Sequence, residues 1–293
     1  MKRSWAAVFL VVFSFLIAID PSLGLAEGKF SLKLQGGWAY ISGGDVNHGT
    51  QAYFDFREAQ WGASEGGYRA AHNGYEFGGD IIYELTSRLG LSFGAGYLRI
   101  SRASRAALSI PEVIGPYAGL IAEPTLDAVP IQLGLDFAVP LNKRLSFHTE
   151  IGASYFLRAR YSDEWRMLIS SMDTVVGYVD YVTRAERKRA PVGFQGRIGL
   201  ECMLSRDFFI VFEAKGRYAR FTGWHGSSVL ESDTETPFSE EGILYYEVVP
   251  MLVGSPRLIM VQSDPPNGPG GEPRQAVVDF SGVSLQVGIR IRL

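Results

Sequence analysis

Eight stretches of this chain alternate apolar and polar residues with a period of two, and no other feature of the sequence constrains the fold as tightly. A period of two places successive side chains on opposite sides of an extended backbone, so each stretch predicts a strand with one apolar and one polar face. In 30–40, Phe30, Leu32, Leu34, Trp38 and Tyr40 alternate with Ser31, Lys33, Gln35, Gly37 and Ala39. In 74–85, Tyr75, Phe77, Ile81, Tyr83 and Leu85 oppose Glu76, Gly78, Asp80 and Glu84. The pattern recurs over 89–97, 129–139, 145–157, 192–204, 208–218 and 283–293.

The connections between these stretches fall into two classes in strict alternation. Thr86–Arg88, Pro140–Arg144 and Ser205–Asp207 are tight turns, whereas 41–73, 101–126, 159–190 and 221–276 are long. Short turns at one end and long loops at the other predict an all-β, transmembrane, antiparallel up-and-down barrel of eight strands, with its turns periplasmic and its long loops extracellular. The long loops carry strand-like text of their own, Met167–Ile169 with Val175–Tyr181 and Leu244–Val249 with Leu258–Val261. These predict hairpins that extend the wall above the membrane; the alternative is a barrel of ten or twelve strands.

A soluble lipocalin alternates in the same way with its apolar face inward, and volume separates the two. An eight-stranded barrel has room inside only for modest side chains. Here the apolar face carries mostly Phe, Tyr, Leu and Ile, while the other face is rich in Gly, Ser, Ala and Gln, so the bulky set belongs in lipid. Aromatic positions support this, because lipid-facing rings gather at the two interfaces. Trp38, Tyr40, Tyr75, Tyr97, Tyr155 and Tyr218 fall toward the loop ends of their strands, and Tyr83 toward the turn end. Together they predict an aromatic girdle.

The N-terminus fixes the route. Lys2 and Arg3 precede an apolar run from Trp5 to Ile19, and Gly24-Leu25-Ala26 offers small residues for cleavage, which predicts a Sec signal peptide over 1–26 and a mature barrel domain over 27–293. No cysteine follows that run, and Cys202, on the apolar face of its strand, is the only one in the chain, so neither lipid acylation nor an internal disulfide is expected. A net charge of −3 of mixed sign gives no reason to expect nucleic acid as a partner. Mean hydropathy of +0.05 is too low for a helical membrane protein and suits alternating strands.

In layout, and in a final strand whose apolar alternation runs to the last position, the chain resembles the OmpA-like and OmpX-like small outer-membrane barrels. It departs from them in ending on Leu293, where an aromatic is usual. The resemblance implies the bacterial outer membrane as location, outer-membrane lipid and lipopolysaccharide as surroundings, and the barrel assembly machinery as a partner in biogenesis.

The predicted inner face holds Lys33, Glu76, Asp80, Glu84, Asp136, His148, Glu150, Arg158, Arg197, Glu201, Glu213, Lys215, Arg217, Arg290 and Arg292. Charges of both signs in a low-dielectric interior must pair, so these residues predict an ion-pair network that fills the barrel. A gated ion path lined by the same groups is the alternative. His148 and Glu150 share the inner face but lie near the periplasmic end, where pairing explains them better than catalysis. His48, His72 and His225 are too scattered for a metal site, Asp163-Glu164 and Glu240-Glu241 read as solvated loop charges, and Asp264–Pro273 reads as a flexible loop. The expectation is therefore a non-enzymatic, cofactor-free barrel with a structural role and loops that bind an extracellular ligand. A small-solute pore and an outer-membrane lipid-modifying enzyme remain the alternatives.

Overall fold

The computed structural model describes residues 29–109, 117–171, 174–187, 191–233, 236–249, 255–263, 265 and 274–293. The predicted signal peptide lies outside them, as does all of the predicted flexible loop 264–273 except Pro265. Elements follow in the order β1 (Lys29–Gly44), α1 (Asp45–Trp61), β2 (Ala63–Gly67), β3 (Asn73–Glu84), β4 (Leu89–Ser101), β5 (Ser104–Ser109), β6 (Tyr117–Ala122), β7 (Thr125–Pro140) and β8 (Leu145–Ser171). The chain continues through β9 (Thr174–Arg187), β10 (Val192–Met203), β11 (Phe208–Tyr218), β12 (Arg220–Phe221), β13 (Trp224–Ser232), β14 (Phe238–Val248), β15 (Arg257–Gln262), β16 (Arg274–Gln275) and β17 (Val278–Arg292).

Eight of these strands form a closed antiparallel ring in the order β1, β3, β4, β7, β8, β10, β11, β17. β17 returns to β1, with Leu32 opposite Ile291 and Trp38 opposite Leu285, so no edge is left exposed. These are the eight alternating stretches of the sequence. The two predicted loop hairpins form as well, with Met167 opposite Val179 and Leu244 opposite Val261, and neither joins the ring. A barrel of ten or twelve strands is thereby excluded.

Three four-residue turns close one end of the ring. Each begins on a leucine whose N–H donates to the carbonyl of the residue four on: Leu85 to Leu89, Leu141 to Leu145, and Leu204 to Phe208. Thr86 Oγ1 and Asn142 Oδ1 accept the N–H of Leu89 and Leu145 at 2.9 Å, which is why short polar residues follow those leucines.

At the other end the wall continues far past the ring. β8 runs for 27 residues, whereas roughly 9–11 tilted residues cross a bilayer. Its upper half pairs with β6 and β9, and the sheet extends from β6 to β5 and β2 on one side and from β9 through β13 and β14 to β15 on the other. α1 packs against β15 and also against β5 and β2, so it fills the gap between the two flanks of this upper sheet.

Which face is apolar changes along the strands. In the lower part the outside carries Leu34, Phe77, Phe93, Leu133, Ile151, Phe194, Phe212 and Leu285, all exposed, and the inside carries charge. Higher up, inward positions turn apolar at one level on strand after strand: Ala39 and Ile41, Leu98 and Ile100, Leu126 and Ala128, Phe156, Ala219 and Phe221, Val278 and Phe280. The lower wall faces lipid and the upper wall faces water, so the hydrophobic effect selects opposite faces of the same strands.

Two sequence expectations fail here for identifiable reasons. Arg158, predicted to face the interior, is on the outside. A bulge shifts the β7–β8 register, so that Val129 faces Arg158 and Pro130 faces Phe156, leaving Leu157 as the extra residue. Pro130 has no N–H to give the ladder, and the added residue reverses the inside–outside parity of β8 above it. The second failure is α1, which lies in the predicted loop 41–73. Its buried positions include Asp45, Asn47, Gly49 and Thr50, so its inward face never reads as an apolar stripe.

Candidate functional site: the filled interior and its external cap

The inward charges pair in three groups. Near the level where the interior turns apolar, Glu76 accepts hydrogen bonds from Lys215 Nζ at 2.7 Å, Arg217 Nη1 at 3.1 Å and Ser284 Oγ at 2.6 Å. Below it, Arg197 reaches Asp80 at 2.5 Å and Glu150 at 3.2 Å and also donates to Gln132. Lys33 links Asp80 at 3.2 Å to Glu213 at 2.8 Å, and His148 lies 3.4 Å from Glu213 and 3.5 Å from Asp136. At the turn end, Arg290 joins Glu201 and Glu84, and Arg292 adds a contact of 3.3 Å to Glu84. Fourteen of the fifteen predicted interior charges thus meet inside the barrel; Arg158 does not. His148 and Glu150 are absorbed in this pairing.

The predicted girdle residues sit on the outer face. Tyr75, Phe77 and Tyr97 form a ring cluster with centroids 5.3–6.3 Å apart, Trp38 Nε1 donates to Asn73 Oδ1 at 3.2 Å beside Tyr40, and Tyr155 and Tyr218 are exposed at the same end. Tyr83 packs on Phe30 at the opposite end, with centroids 5.0 Å apart.

Above the ionic network, α1 closes the barrel mouth. Gly43 and Gly44, with φ of 74° and 65°, turn the chain sharply from β1 into the helix, a conformation that favours glycine. Asn47 then pins the first turn: its Nδ2 donates to the carbonyl of Ser42 at 3.0 Å, and its Oδ1 accepts the Ala71 N–H and the Tyr68 hydroxyl, both at 2.8 Å. Val46 and Phe54 are fully buried, and Tyr53 stacks on Trp165 with centroids 4.5 Å apart. Beneath the helix, Phe156, Phe221, Trp224 and Phe280 form an aromatic layer across the barrel.

Asp163, expected as a solvated loop charge, is buried under α1 instead. The reversed parity of β8 beyond the bulge turns it inward. It accepts hydrogen bonds from Trp165 Nε1 at 2.6 Å, Thr50 Oγ1 at 3.0 Å and the Tyr161 hydroxyl at 3.2 Å, all on Oδ2, while Oδ1 has no hydrogen-bond partner. Burial without a cation beside it pushes its carboxyl up to about 6, against the opposing pull of those three donors. Glu164, its neighbour, is exposed and pairs with Arg166 at 3.0 Å.

A polar cleft of about 570 Å3 opens at the rim beside the start of α1, lined by Ser42, Asp45, His48, Arg220, Thr222 and Arg274 among others. Asp45 holds Arg274 through two contacts of 2.6 and 2.7 Å and accepts the Val277 N–H at 2.7 Å. Arg220 meets Asp279 at 3.3 Å. Both guanidinium groups stay half exposed, so they keep donors free toward the cleft. No motif in the sequence signals this cleft, because its walls come from three distant segments. His72 bonds the Ile41 carbonyl and His225 lies on β13, so the loop histidines stay apart. Among the described residues no group of three or more His, Cys, Asp or Glu is placed to hold a metal.

The chain matches no protein-family model and no curated protein. Solved structures similar to it include Ail, the attachment invasion locus protein of Yersinia pestis, in complex with the heparin analogue sucrose octasulfate. Ail is 12% identical with a TM-score of 0.35, covering 92% of this chain and 100% of that one. A major outer membrane protein from Thermus thermophilus is 11% identical with a TM-score of 0.36, covering 92% and 100%. The outer membrane protease OmpT from Escherichia coli is 7% identical with a TM-score of 0.25, covering 93% and 99%. The barrel assignment stands on the strand pairing itself.

Proposed function

We propose that this chain is a bacterial outer-membrane barrel of the OmpA-like and OmpX-like kind, exported by a Sec signal peptide cleaved after Ala26 and inserted by the barrel assembly machinery. Its role is structural and interactional: it anchors in lipid and lipopolysaccharide and presents a folded external cap to an extracellular ligand. It acts by binding and not by turnover. The observation that carries this reading is the filling of the barrel, first by the ion-pair network around Arg197 and Glu76 and then by the aromatic layer of Phe156, Phe221, Trp224 and Phe280. A solute would have to break both. The rim cleft between Arg220 and Arg274 is where a small anionic or polar group of that ligand would be held.

Purified protein in planar bilayers tests the reading directly. No discrete conductance steps are expected. Steps that disappear when Arg197 is replaced would establish a path through the network and overturn it. Fractionation of the full chain, with a boiled and an unboiled sample run side by side, tests the location: the unboiled band should migrate differently and be found with the outer membrane.

A further inference from the structure

The bulge on β8 does more than reverse parity: it re-aims an arginine at the level where the apolar wall ends. Leu157 is 60% exposed on the outer face of β8, and Arg158 follows it directly onto the same face. Arg160 is next on that face, and both arginines are exposed. On the neighbouring strands the register places Val129 opposite Arg158, Asp127 opposite Arg160, and Arg99 of β4 opposite Asp127. Arg99 in turn stands two residues above Tyr97 and level with Tyr75, the upper ring of the aromatic cluster. Adjacent strands are roughly 4.8 Å apart, so Arg99, Arg158 and Arg160 span about 10 Å of wall, at the upper edge of the lipid-facing surface.

The pairing around these groups is incomplete. Asp127 accepts the Tyr97 hydroxyl at 2.7 Å and lies between Arg99 and Arg160, and Glu186 approaches Arg160 at 3.6 Å, with both partners about half exposed. Arg158 has Leu157 beside it and Val129 across from it, and no carboxylate contacts it among the described residues. An arginine at a membrane boundary lays its stem on apolar surface and carries its head into the headgroup layer. Its planar fork matches phosphate oxygens in pairs.

We propose that Arg158, flanked by Arg160 and Arg99, forms a binding row for the phosphate of an outer-leaflet lipid headgroup. The lipid supplies acyl chains to the apolar wall below and its phosphate to the guanidinium groups above, while Asp127 and Glu186 orient the two flanking arginines. This inference rests on the membrane location proposed above.

The test is native mass spectrometry of the purified full-length barrel released from detergent, with bis-phosphorylated lipid A and the same lipid lacking phosphates as probes. The wild type should retain the phosphorylated lipid in preference. R158Q should lower that retention about fivefold, and R158Q with R160Q should lower it further, as expected for loss of one or two cationic headgroup contacts. R99Q, on a different strand, should lower it independently, and R166Q, higher on β8 and paired to Asp180, should leave it unchanged. Equal retention of the two lipids, or retention by R158Q/R160Q equal to wild type in protein that still shows the heat-dependent gel shift, overturns the phosphate row alone. A wild-type chain that shows no gel shift and is absent from the outer membrane overturns the location on which the row depends.

Discussion

Single residues set how this molecule responds to pH and to loss of charge. Asp163 has its carboxyl raised to about 6 from an ordinary 3.8, so the folded cap favours the protonated form. Its stabilising contribution is complete below about pH 4 and is lost as pH rises through about 6, a difference of about 3 kcal/mol. The tyrosines around it, Tyr68, Tyr161 and Tyr181, are pushed upward by burial and stay neutral throughout that range. Because Trp165 donates directly to Asp163, tryptophan fluorescence should titrate with a midpoint near 6, and D163N should abolish that transition. An unchanged titration in the variant would show that another group is responsible. Inside the barrel, R197M would leave Asp80 and Glu150 buried without their principal cation. The expected cost is about 3–5 kcal/mol, read as a lower urea midpoint for loss of the unboiled gel band. Fourteen of fifteen interior charges were legible from alternation alone, since a strand's period leaves little freedom. Arg158 and Asp163 were not, because a one-residue bulge is invisible in composition and reverses everything beyond it on that strand.

At the scale of elements, the ring strands and turns were readable and the helix was not. The strands announce themselves by a period of two that the bilayer enforces on one face. α1 is fixed by partners that a local pattern cannot reveal: Asn47 by Ala71, Thr50 by Asp163, and Asp45 by Arg274. Its stability therefore belongs to the cap and not to its own propensity. F54A, which empties a fully buried site, should cost the cap about 3–5 kcal/mol and expose α1 to protease, while the heat-dependent gel shift of the barrel persists. Simultaneous loss of the gel shift would mean that cap and ring form one cooperative unit.

Across the whole molecule, two solvents shape one continuous sheet. The lower wall is turned outward to lipid and the upper wall inward around its own core, with the ionic network below and the aromatic layer above meeting at one level. The rim cleft and the α1 plug exist only because segments far apart in the chain converge there, which is why neither had a signature in the sequence. The placement of α1 right after β1 has a consequence for biogenesis. Its anchors at Arg274 and Val277 arrive only with the last strand, and that strand is also the one that seals the ring by pairing with β1. The seat of the cork at Asp45 is therefore complete only once the final stave is in place. A fully seated cap is thus the mark of a ring that has closed.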